Sequence, residues 1–430
     1  MSGMSLGRGR SRIMSATAVS VLLASCATTT ANNRASDELS RESESAARAQ
    51  AQRETQQAQQ QALARYRAAV ARESSATLGE REFTAGEGFR GVVASEGDVA
   101  VTRVQNGHSV RFSIGAEQPV ECVVFDAQGD IANMLRAVYE RIRGNFTRSA
   151  IEAVDAGVID GNGYLDAAFV YNVAVRGRVM VGSVKIRSFT TGDRSAICTH
   201  DEPGYRQSFH RAIVPLMRGA RPSPRDANYV VSLNDHRIGV QLLRFREEQG
   251  ITIEETYAST LIARGDADIT AIDSVTIERY TADGALESQR EIENNNLTIE
   301  NNVWQREGNT LRYHFEGTHL GRPLTGVAVA HEVLRAGTPT LTAFARRALA
   351  SGAAIAPSEH ERFNPSNPLA VTRSRVELAQ RVDNAHAWIT ISSPRRTTRA
   401  LVGADGMPTE MRAELGRLTV ITRRVDGAPQ

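Results

Sequence analysis

Residues 36–75 form a polar stretch of Ala, Arg, Glu and Gln without Gly or Pro, a composition that predicts helix. Leu63, Tyr66 and Val70 follow i, i+3, i+7, yet the turns back to Leu39 carry nothing apolar larger than Ala. The pattern therefore reads as a solvated spacer helix, with weak self-association as its rival, rather than a sustained coiled coil. At 1.5 Å per residue it would reach ~55–60 Å.

The period then shortens to two. Runs at 89–93, 99–104, 109–114 and 120–125, broken by Gly, Asn and Asp, read as strands. Ile131, Met134, Leu135, Val138 and Ile142 recur at helical spacing. Strands resume at 150–159, 165–175, 179–189 and 195–200. A second helix follows, with Tyr205, Phe209, Ala212, Ile213 and Leu216 on its inner face and Pro203 near its start. An antiparallel sheet with both helices against one face is the economical arrangement.

Residues 218–228, with Gly219, Pro222 and Pro224, mark a boundary. Beyond it, runs at 229–233, 238–245, 251–264, 269–280, 297–304, 310–315 and 324–330 come in meander order. Ile251, Ile253, Tyr257 and Leu261 share one face, with Thr252, Glu254, Thr256 and Thr260 on the other, so this sheet has a wet side. A helix at 341–350 and a loop rich in Pro and Ser precede strands at 370–378, 387–392, 398–402 and 418–425. The fold class read from this is α+β: an N-terminal helical stalk, an antiparallel sheet with two helices, then a mainly antiparallel, half-barrel-like β domain with one helix. The segments are a leader at 1–25, a tether and stalk at 26–80, an α+β domain at 82–218 and a β-rich domain at 229–430.

The leader supplies an address. Arg8, Arg10 and Arg12 precede an apolar-to-small stretch at 13–24 that ends at Leu23-Ala24-Ser25-Cys26, the layout of a secretory signal with a cysteine at the cleavage point. Leu-Ala-Ser-Cys resembles the bacterial lipobox, which implies removal of residues 1–25 and diacylglycerol attachment to Cys26. Ala27, rather than Asp, implies by resemblance to the enterobacterial sorting rule the outer membrane, facing the periplasm. Removing the leader takes away three Arg and no acid, so the formal charge falls from +2 to −1. Near-neutral charge excludes a nucleic-acid binder held by bulk electrostatics.

Element order over 82–218 resembles the PsbP-like family. Over 229–425, with a late Asp405-Gly406 turn before the last strand, it is similar to the lipoprotein-carrier half-barrels and to the β-domains that precede bacterial transglutaminase-like domains, although no cysteine protease-like core follows. The carrier resemblance implies an acyl chain held inside the sheet.

Candidate chemistry is sparse. Lys185 is the only lysine, and no GxxxxGK, GxSxG or HExxH occurs. Asp160-Gly161-Asn162-Gly163-Tyr164-Leu165-Asp166 looks like the middle of an EF-hand loop, but Val158 and Phe169 stand where the first and the bidentate carboxylates belong. A hairpin turn is the alternative. Gly86-Glu87-Gly88-Phe89-Arg90-Gly91 spells GxGxxG without a preceding strand in the pattern. His200-Asp201-Glu202 with His210 suggests a metal, or else helix N-terminal charges from Asp201 and Glu202. His314 and His319 flank a turn without a third ligand. Cys122 and Cys198 read as a disulfide or as two buried thiols. Trp304, Tyr313, Phe315 and Trp388 on C-terminal strands line an apolar ligand cavity or pack as core. Together these give a non-enzymatic periplasmic binding or envelope-assembly factor without cofactor or metal, partnered by the membrane and by an envelope protein or apolar ligand. The rivals are an acyl-chain carrier and a hydrolase or transferase with carboxylate catalysis.

Overall fold

The computed structural model describes residues 34–85, 88–146, 148–175, 178–218, 226–265, 268–335, 337–351, 355–394, 396–403 and 405–425. The lipobox with Cys26, and Gly86 and Glu87 of the GxGxxG string, lie outside the described residues. The chain divides into two units, residues 1–57 and 58–430. The described part of the first is helix, within α1 (Arg34–Val70), with contacts along the helix such as Gln50 Nε2 to Glu54 Oε1 at 3.0 Å. Among the described residues no helix is long and apolar enough to cross a membrane.

In the second unit strand dominates, and the strands pair antiparallel. The protein is mainly β, which corrects the balanced α+β reading. A hairpin of β1 (Gly79–Thr84) and β2 (Arg90–Ser95) comes first. A strand thus does precede the glycine string, and Arg90 and Gly91 at its end open β2 instead of a helix. Gly91 sits beneath the Phe83 ring, where a Cβ would lie 2.3 Å from it.

A seven-stranded sheet follows, built from β3 (Ala100–Val104), β4 (Gly107–Phe112), β5 (Val120–Phe125), β6 (Arg148–Ile159), β7 (Asn162–Val175), β8 (Arg178–Thr191) and β9 (Arg194–His200), in the order β3-β4-β5-β9-β8-β7-β6. Helices α2 (Ile131–Asn145) and α3 (Arg206–Met217) take opposite faces of it, not the same one. Alternation decides this: Val184 and Ile186 of β8 pack with Ile131, Leu135 and Tyr139 of α2, whereas Phe189 packs with Phe209 and Ile213 of α3. Cys122 and Cys198 are direct cross-strand partners on the α3 face, fully buried and joined by a disulfide.

The last sheet has fourteen strands. Eight precede helix α4 (Gly337–Ala350): β10 (Ala227–Leu233), β11 (His236–Glu248), β12 (Ile251–Arg264), β13 (Asp268–Tyr280), β14 (Leu286–Asn295), β15 (Thr298–Arg306), β16 (Arg312–His319) and β17 (Arg322–Val329). Six follow it: β18 (Ser358–Asn364), β19 (Asn367–Arg381), β20 (Ala387–Ser393), β21 (Arg396–Val402), β22 (Pro408–Leu415) and β23 (Leu418–Arg424). Pairing of β10 with β23 joins the two meanders, which leaves β17 and β18 as the ends.

Those ends overlap. Trp304 and Phe315 project from the concave face of β15 and β16, and against them lie Phe363, Leu369 and Val371 from the convex face of β18 and β19. Residues of opposite parity on the same two strands, such as Val376, face inward onto α4. The sheet therefore curls past a half-barrel into a near-closed, barrel-like form whose seam is side-chain packing instead of backbone hydrogen bonds.

The two sheets share a core. Leu261, Ile269 and Ala271, on the convex face of the large sheet, pack into the same cluster as α2 and the small sheet. Asp273 reaches from β13 to the first turn of α2, where its carboxylate accepts from Ala132 N at 3.0 Å, Asn133 N at 2.8 Å and Asn133 Nδ2 at 2.8 Å. A carboxylate from another element thereby satisfies amides that Asp130, the N-cap residue, leaves without a side-chain bond.

Candidate functional site

Following register across the concave face builds the site. Tyr229 faces Gln241, Leu243 faces Thr256, Glu254 faces Glu278 and Thr256 faces Thr276. Thr276 in turn faces Glu291, and Glu293 faces Glu300. Like charges directly opposed across a ladder are destabilising, yet this wall holds two such pairs. The apolar face of the same strands, with Tyr257 and Leu261, is turned outward onto α2. The wet side seen in the sequence is thus the inside of the barrel.

Tyr229, Gln241, Leu243, Thr256 and Thr276 of this face border a cavity of about 400 Å³, together with Glu278, Glu291 and Trp304 on one wall, Leu341 of α4, and His360 to Pro365 on the other side. A second space of about 320 Å³ shares Gln241, Arg362, Ile391 and Met411 with the first and adds Ser393, Arg396 and Thr398. Burial pushes the Glu278 carboxyl above its usual range, against the hydrogen bond it accepts from the Tyr280 hydroxyl and with the help of Glu291 nearby. Burial likewise raises Glu291, aided by Glu293 and Glu300. Across the space, burial lowers His360, helped by Arg362, and lowers Arg362, helped by Arg396. His360 Nδ1 is buried without a hydrogen-bond partner. The interior is thus amphipathic, with Glu278 and Glu291 on one wall, His360, Glu361 and Arg362 on the other, Arg335 also in the lining, and apolar walls at Leu243, Val376 and Ile391.

Stability should carry the mark of Glu278. A carboxyl whose pKa is higher folded than unfolded makes the folded state hold more protons in that window, so stability falls as pH rises through it. Glu278→Gln is expected to unfold at higher urea than wild type at about pH 8, with the gain shrinking toward about pH 4. Urea titrations followed by circular dichroism test this, and an unchanged or lower midpoint at the higher pH would refute it.

Of the aromatic residues expected to line a cavity, Trp304 does so. Its ring stacks on Phe363 at 4.9 Å between centroids, and its indole N–H donates to Pro368 O at 2.9 Å. Tyr313 and Phe315 are buried in the seam, Tyr313 edge-on to Phe363 at 5.2 Å. Trp388 lies on the convex face of β20, with the guanidinium groups of Arg399 and Arg412 each 5.2 Å from its ring.

The small sheet has a polar cluster of another kind. Arg187 Nε and Nη2 donate to the two Asp166 oxygens, each at 2.6 Å, with both side chains buried. Lys185 donates to the Glu202 carbonyl, and burial lowers its pKa to about 8 against the pull of Glu202 and Asp201. His200 and His210 are both pushed down to about 4, chiefly by burial. The space beside Asp166, Lys185 and His210 is about 10 Å³, no more than one water could use. This cluster holds the fold, and the single lysine is not an accessible base.

Asp201 and Glu202 do not cap α3. Asp201 accepts from the Tyr171 hydroxyl at 2.5 Å and Glu202 Oε2 from Gln118 N at 3.0 Å. The cap comes from Glu73, whose carboxylate accepts from Gln207 N, Ser208 N and Ser208 Oγ, a long-range partner invisible to local spacing. The 160–166 stretch is a hairpin turn, with Asp160 at φ 47° and Gly161 at 80°. Asn162 Nδ2 is spent on Met217 O and Asp166 on Arg187, so calorimetric titration with calcium is expected to give no heat from this loop; a saturable signal lost in Asp160→Ala would contradict that. Among the described residues, no group of three or more His, Cys, Asp or Glu is arranged to hold a metal ion.

Fold and site together define a mainly antiparallel β protein whose near-closed, barrel-like sheet borders an amphipathic cavity. No family model matches the chain, and no curated protein matches it. Among solved structures it is similar to a β-barrel-like protein of domain of unknown function DUF1849 from Brucella abortus, with 13% identity and a TM-score of 0.36 over 47% of this chain and 95% of that one.

Proposed function

We propose that the protein is a bacterial envelope lipoprotein, anchored through Cys26 in the outer membrane facing the periplasm, whose barrel-like sheet binds a small amphipathic ligand in its interior. The observation that carries this reading is the cavity of about 400 Å³, within the size range of ligand pockets. The disulfide between Cys122 and Cys198 suits an oxidising compartment. A plain acyl chain fits less well, because it would strip water from Glu278, Glu291 and Arg362 without replacing their hydrogen bonds.

The two tryptophans divide neatly for a test, one inside and one outside. In the full chain carrying Trp388→Phe, Trp304 alone reports on the cavity. Small molecules extracted from the host envelope should shift its emission, while a Trp304→Phe chain, reporting from Trp388, stays flat. Equal shifts in both, or none in either, would overturn the reading. Two carboxyls with raised pKa in one pocket also suit an enzyme using carboxylate catalysis. Recovery of the bound compound chemically altered, instead of intact, would favour that second reading.

A further inference from the structure

The inner end of the large sheet is strand β18, which pairs with β19 alone. A strand that turns one face to a cavity lines it with alternate residues. Here His360, Glu361, Arg362, Phe363, Asn364 and Pro365 all line it, because an edge, and not only a face, meets the space. Glu361 N–H shows where that edge points: it donates to Glu332 Oε1 at 3.1 Å, a side-chain carboxylate in the position a neighbouring strand's carbonyl would take. Glu359 and Phe363, two residues to either side, turn their backbone groups the same way. Edge strands are normally blunted or covered; here Glu332 covers the edge at Glu361, and the stretch that continues from it through Arg362, Phe363 and Asn364 borders the cavity.

The same cavity holds Glu278 and Glu291; the inward positions beside them, Thr256, Thr276 and Gln289, bring no positive charge, and Arg335, also in the lining, spends its guanidinium on the Asp283 carbonyl at 2.7 Å. We propose that the cavity receives an extended peptide segment, which adds to β18 as its missing neighbour strand and lays a basic side chain against Glu278 and Glu291. The backbone ladder would supply affinity and the carboxylates specificity, the division of labour of strand addition. This inference rests on the reading of the cavity as a ligand site and names the chemistry of its occupant.

The test uses the full chain with Trp388→Phe, so that Trp304 emission reports binding. The probes are acetylated and amidated peptides of alternating Val and Thr in which one inner position is Lys, Arg, Gln or Glu. Lys and Arg peptides should bind at least about tenfold tighter than the Glu peptide, as expected for one hydrogen-bonded charge pair. N-methylation of every second amide should weaken the best peptide by about tenfold or more, and methylation of the intervening amides should not, since a strand edge reads alternate groups. Glu278→Gln combined with Glu291→Gln should erase the preference for Lys and Arg while the Gln peptide still binds. Binding indifferent to the position of the methyl groups would overturn strand addition. No peptide binding, alongside a shift caused by a non-peptide compound from the envelope extract, would leave the ligand site standing and remove the peptide. Silence of Trp304 toward both would remove the two together.

Discussion

Asp166→Ala is expected to cost about 3–5 kcal/mol of stability, the penalty for leaving one charge of a buried pair without its partner. Asp166 is 4% exposed and Arg187 3%, so neither can turn to water. The guanidinium of Arg187 holds the Asp166 carboxyl below its usual range, against the opposing effect of burial. A depressed carboxyl contributes stability that is present above its unfolded pKa and lost as pH falls through the folded one. The deficit of Asp166→Ala relative to wild type should therefore be largest near neutral pH and shrink in acid. Replacing both partners by apolar residues, as in Asp166→Leu with Arg187→Met, should cost less than the single change. Urea unfolding at two pH values measures all three, and a loss below about 1 kcal/mol for Asp166→Ala would mean that the pair is not buried as described.

The second large effect belongs to the disulfide. Cys122 and Cys198 are 76 residues apart, and in the chain-entropy model closing a loop of that length contributes about 4.5 kcal/mol, nearly all through the unfolded state. Cys122→Ala with Cys198→Ala should lower stability by about 2–4 kcal/mol while leaving the native far-ultraviolet spectrum intact. Because the pair is fully buried beneath α3, a reductant should reach it only when denaturant opens the core. Non-reducing peptide mapping should recover the two cysteines linked. Two alkylatable thiols in trapped native protein would remove the bridge and the prediction with it.

What was readable in advance follows the chemistry of each face. Alternation in β11, β12 and β13 is plain in the sequence because one side is wet and the other packs on α2, and only its sense was open: Glu254 and Thr256 point into the barrel and Tyr257 and Leu261 outward. The strands that the sequence did not disclose are those with little apolar content on either face. β14 (LESQREIENN) turns Gln289, Glu291 and Glu293 toward the cavity side, and β18 (SEHERFN) brings His360 and Arg362 to it. β1 (GEREFT) buries Phe83 alone, and β22 (PTEMRAEL) carries Glu410 and Arg412 in surface ion pairs. A polar lining hides a strand from any hydrophobic count, so the cavity that defines the site is also what concealed its walls.

The placement of the helices was beyond local pattern for another reason. Both α2 and α3 show one apolar stripe, and nothing in a stripe says which face of a sheet it meets. That choice is made by partners distant in the chain, Asp273 for α2 and Glu73 for α3. Of the four aromatic residues singled out, only Trp304 lines the cavity, because seam, cavity and convex surface all present aromatic residues at the same period of two.

The central claim is that the barrel interior is occupied in the cell, and native mass spectrometry of the full chain purified from its own host tests it most directly. Wild type should carry one additional, non-covalent mass, released on denaturation and identifiable. A chain with Thr276→Trp, which fills the space between Thr256 and Glu291, should lack that mass while unfolding at a similar urea concentration. Wild type and Thr276→Trp each showing only the mass of its own unliganded chain would contradict the claim.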